Sequence, residues 1–160
     1  MKLTNSKSKL IRALIWIFSA LGGFVLVYMI AMNMLMAKMN SEVPADLDYS
    51  TTRQSEKGLF NISYAASTGT VPVNQLHQWT LHVETADGQP VENATITVDG
   101  DMPQHGHGLP TKPRVTKNLG NGDYLVDGMK FQMGGWWVMD FNIAANGQTD
   151  AVHFNMMLKQ

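Results

Sequence analysis

The sequence predicts an all-β domain, an immunoglobulin-like antiparallel β-sandwich of about seven strands, preceded by one N-terminal transmembrane helix. Three observations lead to this prediction. Residues 13–37 contain no charged side chain. After residue 57, short runs of β-type residues alternate with glycine-containing turn dipeptides, and several runs place an apolar residue at every second position. The chain has 160 residues, so roughly 100 remain after the apolar run, a common size for one β domain.

The N-terminal segment predicts a membrane anchor. Residues 1–12 form a basic tail that contains Lys2, Lys7, Lys9 and Arg12 and no acidic residue. The uncharged run 13–37 exceeds the roughly 20 residues that cross a bilayer as a helix. Because cations precede the run and acidic residues follow it, the positive-inside rule predicts a single-pass protein of the cytoplasmic (inner) membrane with a cytoplasmic N-terminus. A cleaved signal peptide is the alternative, but its apolar core usually spans only about 7–15 residues.

Residues 38–57 are polar and predict a linker, and residues 58–160 predict an extracytoplasmic, periplasmic domain. From Ser41 onward, 7 Lys and Arg stand against 13 Asp and Glu, which gives a net charge of -6. An acidic domain repels phosphate backbones, so the composition argues against nucleic acid as a partner. The chain contains no cysteine, which excludes disulfides and thiolate metal ligands.

Seven strands are predicted within the domain, and turn signals separate them. They are Leu59–Ala65, His77–Thr85, Ala94–Val98, Arg114–Asn118, Asp123–Val126, Trp136–Ile143 and Ala151–Leu158. Trp79, Leu81 and Val83 alternate with polar residues, as expected for a strand that buries one face. The Asn-Gly pairs at 121–122 and 146–147 supply the positive φ angles that tight hairpin turns require.

The longest irregular stretch in the domain, Gly100–Pro113, carries the candidate metal ligands; we call it the histidine loop. Its glycine and proline content predicts a loop at one end of the sandwich. In an extended conformation His105 and His107 point the same way, with Cα atoms roughly 6–7 Å apart, and Met102 adds a thioether. Imidazole and thioether without thiolate suit copper better than hard cations, whereas zinc would accept the histidines. The alternative is that these histidines are plain polar surface.

The segment 131–137 is a second candidate region. Because Trp136 and Trp137 are adjacent at the start of a strand, their rings must point to opposite faces. One ring is expected in the core and the other outside it or under a loop. The outer ring and Met133 would then shield or complete a site formed by the histidine loop.

Other functional signals are weak. His77, His82 and His153 each lie within a predicted strand, which makes them poorer candidate ligands than the two loop histidines. The sequence contains no nucleophile elbow, no phosphate-binding loop and no helical two-histidine zinc motif. We therefore expect that the protein is not an enzyme.

Several motifs between Met102 and Ile143 resemble the FixH and YtkA-like group. They read Met-Pro-Gln-His-Gly-His-Gly from residue 102, Pro-Arg-Val from 113, Asn-Gly-Asp-Tyr from 121 and Phe-Gln-Met-Gly-Gly-Trp-Trp from 131. Members of this group are membrane-anchored extracytoplasmic β-sandwich proteins of bacteria. They are linked with copper handling and with assembly of cbb-type haem-copper oxidases. The N-terminal anchor agrees with the FixH arrangement.

The resemblance implies a set of copper ligands. The Met-Pro-x-(His/Met)-Gly-His element of the group falls on Met102, His105 and His107, and its Met-x-Gly-Trp element falls on Met133. Gly135 and Trp136 are the scaffold of the second element. Many relatives carry Met where this chain has His105, and both residue types serve as copper ligands.

Two functions follow as hypotheses. The first is a copper-binding accessory protein that receives or presents copper outside the membrane and aids metal delivery or haem-copper oxidase assembly. Its partners would be the membrane, a copper client protein or another membrane protein. The second is a non-metal interaction module of a membrane complex, in which the histidine loop is ordinary surface.

Overall fold

The computed structural model describes residues 4–39 and 42–159. The first range belongs to one compact unit of the chain and the second range to another. Helix α1 spans Thr4–Met39, 36 residues. Its segment Trp16–Met34 has a mean hydropathy of 1.9 and is long and apolar enough to cross a membrane. The uncharged run, which predicts a transmembrane helix, is therefore helical in the structure. Of the tail cations, Lys2 lies outside the described residues.

Residues 42–159, the described part of the second unit, form nine β-strands. They are β1 (Thr52–Gln54), β2 (Phe60–Ala66), β3 (His77–Thr85), β4 (Thr95–Met102), β5 (His107–Gly108), β6 (Arg114–Gly120), β7 (Asp123–Met129), β8 (Gly135–Ala145) and β9 (Gln148–Leu158). One sheet has the order β1-β2-β3-β7-β6 and the other β5-β4-β8-β9. Every neighbouring pair of strands is antiparallel. This architecture confirms the predicted all-β sandwich behind an N-terminal helix.

The core lies between the two sheets and is built from the alternating apolar residues. Trp79, Leu81 and Val83 on β3 are each 0% exposed, as predicted. The ring of Trp79 lies 6.4 Å from that of Phe141 on the opposite sheet. Each large apolar side chain that is fully buried contributes about 1.5–3 kcal/mol to folding. Without disulfides, this packing stabilises the sandwich.

Two short strands lie where the sequence predicts no strand. Strand β1 has three residues and falls in the stretch predicted as linker, and β5 has two residues and falls in the histidine loop. Both are edge strands, and both are too short for an alternating pattern to show in the sequence. Strand β4 also extends through Met102 into the histidine loop.

The hairpin turns follow the Asn-Gly pairs. Asn121 and Gly122 have φ angles of 55° and 78°, and Asn146 and Gly147 have φ angles of 54° and 73°. Two successive positive φ values match the twist of the flanking strands, which is why this dipeptide favours a two-residue hairpin. These turns join β6 to β7 and β8 to β9.

Candidate metal site at the histidine loop

The first half of the histidine loop is a tight hairpin between β4 and β5. Met102 and His107 are cross-strand partners. The backbone N–H groups of His105 and Gly106 both donate to the carbonyl oxygen of Met102, at 3.0 Å and 2.9 Å. Gly106 has a φ of 66°, a conformation that glycine adopts without steric cost. The turn therefore places the side chains of His105 and His107 side by side at the end of the four-stranded sheet.

The two imidazole rings have a spacing that suits one metal ion between them. The centroids of His105 and His107 lie 5.8 Å apart, with an interplanar angle of 29°. A metal–nitrogen bond of about 2.0 Å puts the ion about 3.2 Å from a ring centroid, so two rings on one ion stand at most about 6.4 Å apart. The observed spacing falls inside this limit. The distance between the rings therefore permits both imidazoles to bind one small cation.

The side chain of Met102 lies in the core and not on the surface. Its side chain is 1% exposed and belongs to the hydrophobic core. Its methyl group fills the space where a Cβ of Gly135 would lie, and Gly135 has a φ of 125°. Met102 and His107 are paired across the hairpin, so their side chains lie on the same face of it. Met102 thus has a packing role in addition to the predicted ligand role.

Met133 reaches the same region from the segment between β7 and β8. It is half-buried against the core, and its carbonyl oxygen accepts a 3.1 Å hydrogen bond from Nε1 of Trp137. Trp137 is 0% exposed, whereas Trp136 is half-buried on the other face of β8 and donates to Asn155 at 3.0 Å. The predicted division of the two Trp rings is confirmed. The ring that contacts His107 is the buried one of Trp137, however, and not the outer ring that was expected there.

A row of aromatic rings connects the histidine loop to the core. The ring of His107 meets that of Trp137 edge-on at a centroid distance of 5.7 Å, and Trp137 meets Phe131 at 5.2 Å. Phe131 lies 6.1 Å from Trp79 and 5.9 Å from His77. Edge-to-face contacts of this kind favour defined ring orientations. These contacts restrict the His107 ring more than the ring of a histidine on an exposed loop is restricted.

Gln132 is a site residue that the sequence analysis missed. Its Nε2 lies 2.9 Å from Nδ1 of His107 and 3.3 Å from the carbonyl oxygen of Gly108. Its Oε1 is buried and has no hydrogen-bond partner. In the sequence, the signal was a single polar residue between Phe131 and Met133 in a segment already singled out. Pairing with a histidine 25 positions away has no local signature.

The other histidines lie within strands, as predicted, and each has partners of its own. His77 is 7% exposed, and its Nδ1 lies 3.0 Å from the carbonyl oxygen of Gln75. His82 lies 3.1 Å from Glu84 and 2.6 Å from Asp123. Burial of the His82 ring opposes its charged form, but the hydrogen bonds with these two carboxylates outweigh that effect and raise its pKa.

His153 lies between two carboxylates on the outer face of the four-stranded sheet. Its Nδ1 is 2.5 Å from Asp140, and its Nε2 is 2.6 Å from Glu56. Both ring nitrogens are thus engaged by acids rather than free for a metal.

Within residues 4–39 and 42–159, no group of three or more His, Cys, Asp or Glu side chains is arranged to hold a metal ion. A metal site in this part of the chain therefore needs thioether or solvent ligands beside the histidine pair.

The histidine loop lies in a part of the chain that matches a known protein family. The sequence model of the YtkA-like family matches residues 52–141, a range that contains the histidine loop, Gln132 and Met133. No curated protein matches the chain. A crystal structure of a DUF4426 family protein from Pseudomonas aeruginosa PAO1 is similar, with 16% sequence identity and a TM-score of 0.45, over 69% of this chain and 100% of that chain.

Proposed function

This chain belongs to the YtkA-like family, and from that premise we propose that it is a membrane-anchored copper-binding accessory protein. In this proposal it receives or presents copper outside the cytoplasmic membrane and aids metalloprotein assembly, with haem-copper oxidases as the clients that the FixH resemblance implies. The observation that carries the proposal is the pair of imidazoles, His105 and His107, 5.8 Å apart on a constrained hairpin.

The types of donor atom favour copper. Two imidazoles bind copper in either oxidation state, and a thioether adds preference for copper(I) because sulfur is the softer ligand. Met102 is the cross-strand partner of His107, and Met133 follows directly after Gln132, which contacts His107. Copper is the cargo of such a protein. We propose a carrier rather than an enzyme, since binding and release need only these donors and access to a client.

The helix supports the membrane part of the proposal. Trp16–Met34 is long and apolar enough to cross a bilayer, and the basic tail before it favours a cytoplasmic N-terminus. Ser19 and Gly23 are four residues apart, and a Cβ added at Gly23 meets nothing within 4 Å in the chain itself. Small residues at this spacing allow close approach of a second helix. A membrane-protein partner would fit this face.

Competition with a chelator of known copper affinity tests the proposal. We expect the full-length protein in detergent micelles to bind one copper ion, and the double variant His105→Ala, His107→Ala to lose stoichiometric binding. The matched control is His82→Ala, His153→Ala, which also removes two imidazoles and should bind as the unmodified protein does. Equal copper affinity in all three proteins would place any copper site away from the histidine loop, with His77 the next residue to test. Failure of the unmodified protein to bind copper would favour the non-metal interaction module.

The thioethers are tested separately. Met102→Leu and Met133→Leu conserve most of the side-chain volume, so the cost in folding free energy should stay below about 1.5 kcal/mol each. Both variants should weaken copper(I) binding far more than copper(II) binding. An equal effect on the two oxidation states would mean that the sulfur atoms act only through packing.

A further inference from the structure

We propose that Gln132 is a positioning residue that determines which ring nitrogen of His107 binds the metal. In this inference, which rests on the proposed function, Nε2 of His107 is the ligating nitrogen and Gln132 engages Nδ1. The side-chain amide of Gln132 changes its orientation when the metal binds. It donates an N–H to Nδ1 in the metal-free protein and accepts the Nδ1 proton through its carbonyl oxygen in the metal-bound protein.

The first step of the argument is that Nδ1 of His107 is already surrounded. The amide nitrogen of Gln132 lies 2.9 Å from it, and the carbonyl oxygen of Gly108 lies 3.3 Å from it. A metal ion about 2.0 Å from the same nitrogen would have to displace one of these groups. Nε2 is the other lone-pair position on the ring. The geometry therefore assigns the metal to Nε2.

The second step concerns the proton. A neutral imidazole carries one N–H, and the nitrogen that binds a metal must be the one without it. Ligation through Nε2 therefore requires the proton on Nδ1. In the observed orientation, the Gln132 amide donates toward Nδ1 at 2.9 Å, which favours the opposite tautomer of His107 with the proton on Nε2. The carbonyl oxygen of Gly108 can only accept and favours a proton on Nδ1, but its contact is longer, at 3.3 Å. Metal binding and amide orientation are coupled for this reason.

The third step is that each orientation of the amide suits one tautomer of His107. In the observed one, Nε2 of Gln132 donates to Nδ1 of His107 and faces the carbonyl oxygen of Gly108, while Oε1 is buried without a partner. A half-turn of the amide gives Oε1 a partner, the Nδ1 proton, but it also moves the amide nitrogen into the buried position and brings Oε1 toward the carbonyl oxygen of Gly108. The turned orientation is therefore favoured only when Nδ1 carries a proton, which is the state that ligation through Nε2 requires.

This arrangement corresponds to the second layer of a metal site. Histidine ligands usually donate the N–H of the other ring nitrogen to a carboxylate, a carbonyl group or water, and removal of that acceptor typically weakens metal affinity 10- to 100-fold. Gln132 would fill this role without contacting the metal. A purely structural residue would support the fold but would leave the tautomer of His107 unchanged.

The test combines a spectroscopic readout on metal-free protein with copper(I) affinity. The full-length protein in micelles, labelled with 15N on histidine, reports the tautomer of each ring through its nitrogen chemical shifts. We expect Nε2–H for His107 in the unmodified protein and Nδ1–H in Gln132→Glu, because a carboxylate only accepts. On addition of copper(I), Nε2 should become the ligating nitrogen in both proteins.

Copper(I) affinity gives the second readout. Gln132→Leu removes both donor and acceptor and should bind copper(I) about 10- to 100-fold more weakly. Gln132→Glu retains an acceptor for the Nδ1 proton and should bind at least as tightly as the unmodified protein. Gln148→Leu, at an exposed position in the β8–β9 hairpin, is the matched control and should change neither readout.

The outcomes separate this inference from the proposed function. If the tautomer of His107 differs between the unmodified protein and Gln132→Glu but neither binds copper(I), the positioning of the ring stands and the copper function is wrong. If copper(I) binds at His105 and His107 while the tautomer and the affinity are the same in all Gln132 variants, the inference is overturned and the copper function stands. Ligation through Nδ1 would also overturn it.

Discussion

The imidazole of His107 meets the fully buried indole of Trp137 edge-on, with their ring centroids 5.7 Å apart. An ion bound at the histidine loop would therefore lie close to the fluorescent indole of Trp137. Copper(II) quenches an excited indole at short range, because the ion accepts its energy or its electron.

Tryptophan fluorescence should therefore report copper(II) binding. We expect one equivalent of copper(II) to quench the unmodified protein and Trp136→Phe, and to quench Trp137→Phe much less. The comparison is matched, since each variant removes one of two adjacent Trp residues. Equal quenching of the two variants in a fluorescence titration would place the bound ion away from the contact between His107 and Trp137.

The second prediction concerns His153 and the dependence of stability on pH. The hydrogen bond to Asp140 raises the pKa of His153; burial opposes this in part, and the bond to Glu56 adds to the increase. A raised pKa in the folded state means that the charged histidine stabilises the fold below the unfolded pKa of about 6.5. This contribution is lost as the pH rises through the higher folded pKa. Because the side chain is 47% exposed, solvent screening keeps it below about 1 kcal/mol.

Chemical denaturation at several pH values measures this effect. His153→Asn should be less stable than the unmodified protein at pH 6, and the difference should shrink above the folded pKa of His153. The pKa of His82 is also raised, so His82→Asn should show the same sign and serves as an independent comparison. A stability difference that grows with pH would contradict the assigned charge interaction. Near Asp140, burial raises the pKa of Asp101, and the negative charges of Asp140 and Asp99 raise it further.

The third prediction concerns Asp150, a buried carboxylate at the start of β9. It is 2% exposed and accepts backbone N–H groups from Lys57 at 3.0 Å, Leu59 at 3.3 Å and Ala151 at 2.8 Å. Burial raises the pKa of Asp150, but the hydrogen bonds outweigh burial and the net pKa is lowered. The carboxylate therefore stabilises the fold above its unfolded pKa, and the contribution is lost as the pH falls through the lower folded pKa.

Replacement of this carboxylate should be costly. We expect Asp150→Asn to lose about 1.5–3 kcal/mol of unfolding free energy at pH 7, because hydrogen bonds to a charged acceptor are lost. The loss should decrease as the pH falls below the unfolded pKa of about 3.9 and through the lower folded pKa, where the carboxylate of the unmodified protein takes up a proton. Asp87→Asn, in an exposed turn, is the control and should change stability little. An unchanged midpoint of urea unfolding at pH 7 for Asp150→Asn would contradict this assignment.

The fourth prediction concerns membrane orientation. The basic residues before the uncharged run 13–37 and the acidic residues after it predict that the sandwich lies outside the cytoplasm. Alkaline phosphatase fused after Gln160 should be active, because that reporter folds only after export. Replacement of Lys7, Lys9 and Arg12 by Gln should reduce the activity by weakening the orientation signal. An inactive fusion that is well expressed would reverse the orientation.

The strands and turns were largely determined by local sequence. Alternation at Trp79, Leu81 and Val83 identifies a strand and its buried face, because successive side chains of a strand point to opposite sides. An Asn-Gly pair identifies a hairpin because few other dipeptides tolerate two successive positive φ angles. The helix of the anchor follows from an uncharged run longer than a bilayer core. Each of these signals is contained within a few consecutive residues.

The contacts at the candidate site were decided by the tertiary structure alone. The pairing of Gln132 with His107 depends on how the segment between β7 and β8 packs against the β4–β5 hairpin, and the contact of Glu56 with His153 joins residues 97 positions apart. Alternation specifies which face of a strand is buried, but it does not specify which strand or loop lies beside it. The sequence by itself therefore determined the helix, the seven longer strands and the candidate ligands His105 and His107, but not the short edge strands β1 and β5. Only the packing of distant segments decided that Met102 lies in the core and that Gln132 engages Nδ1 of His107.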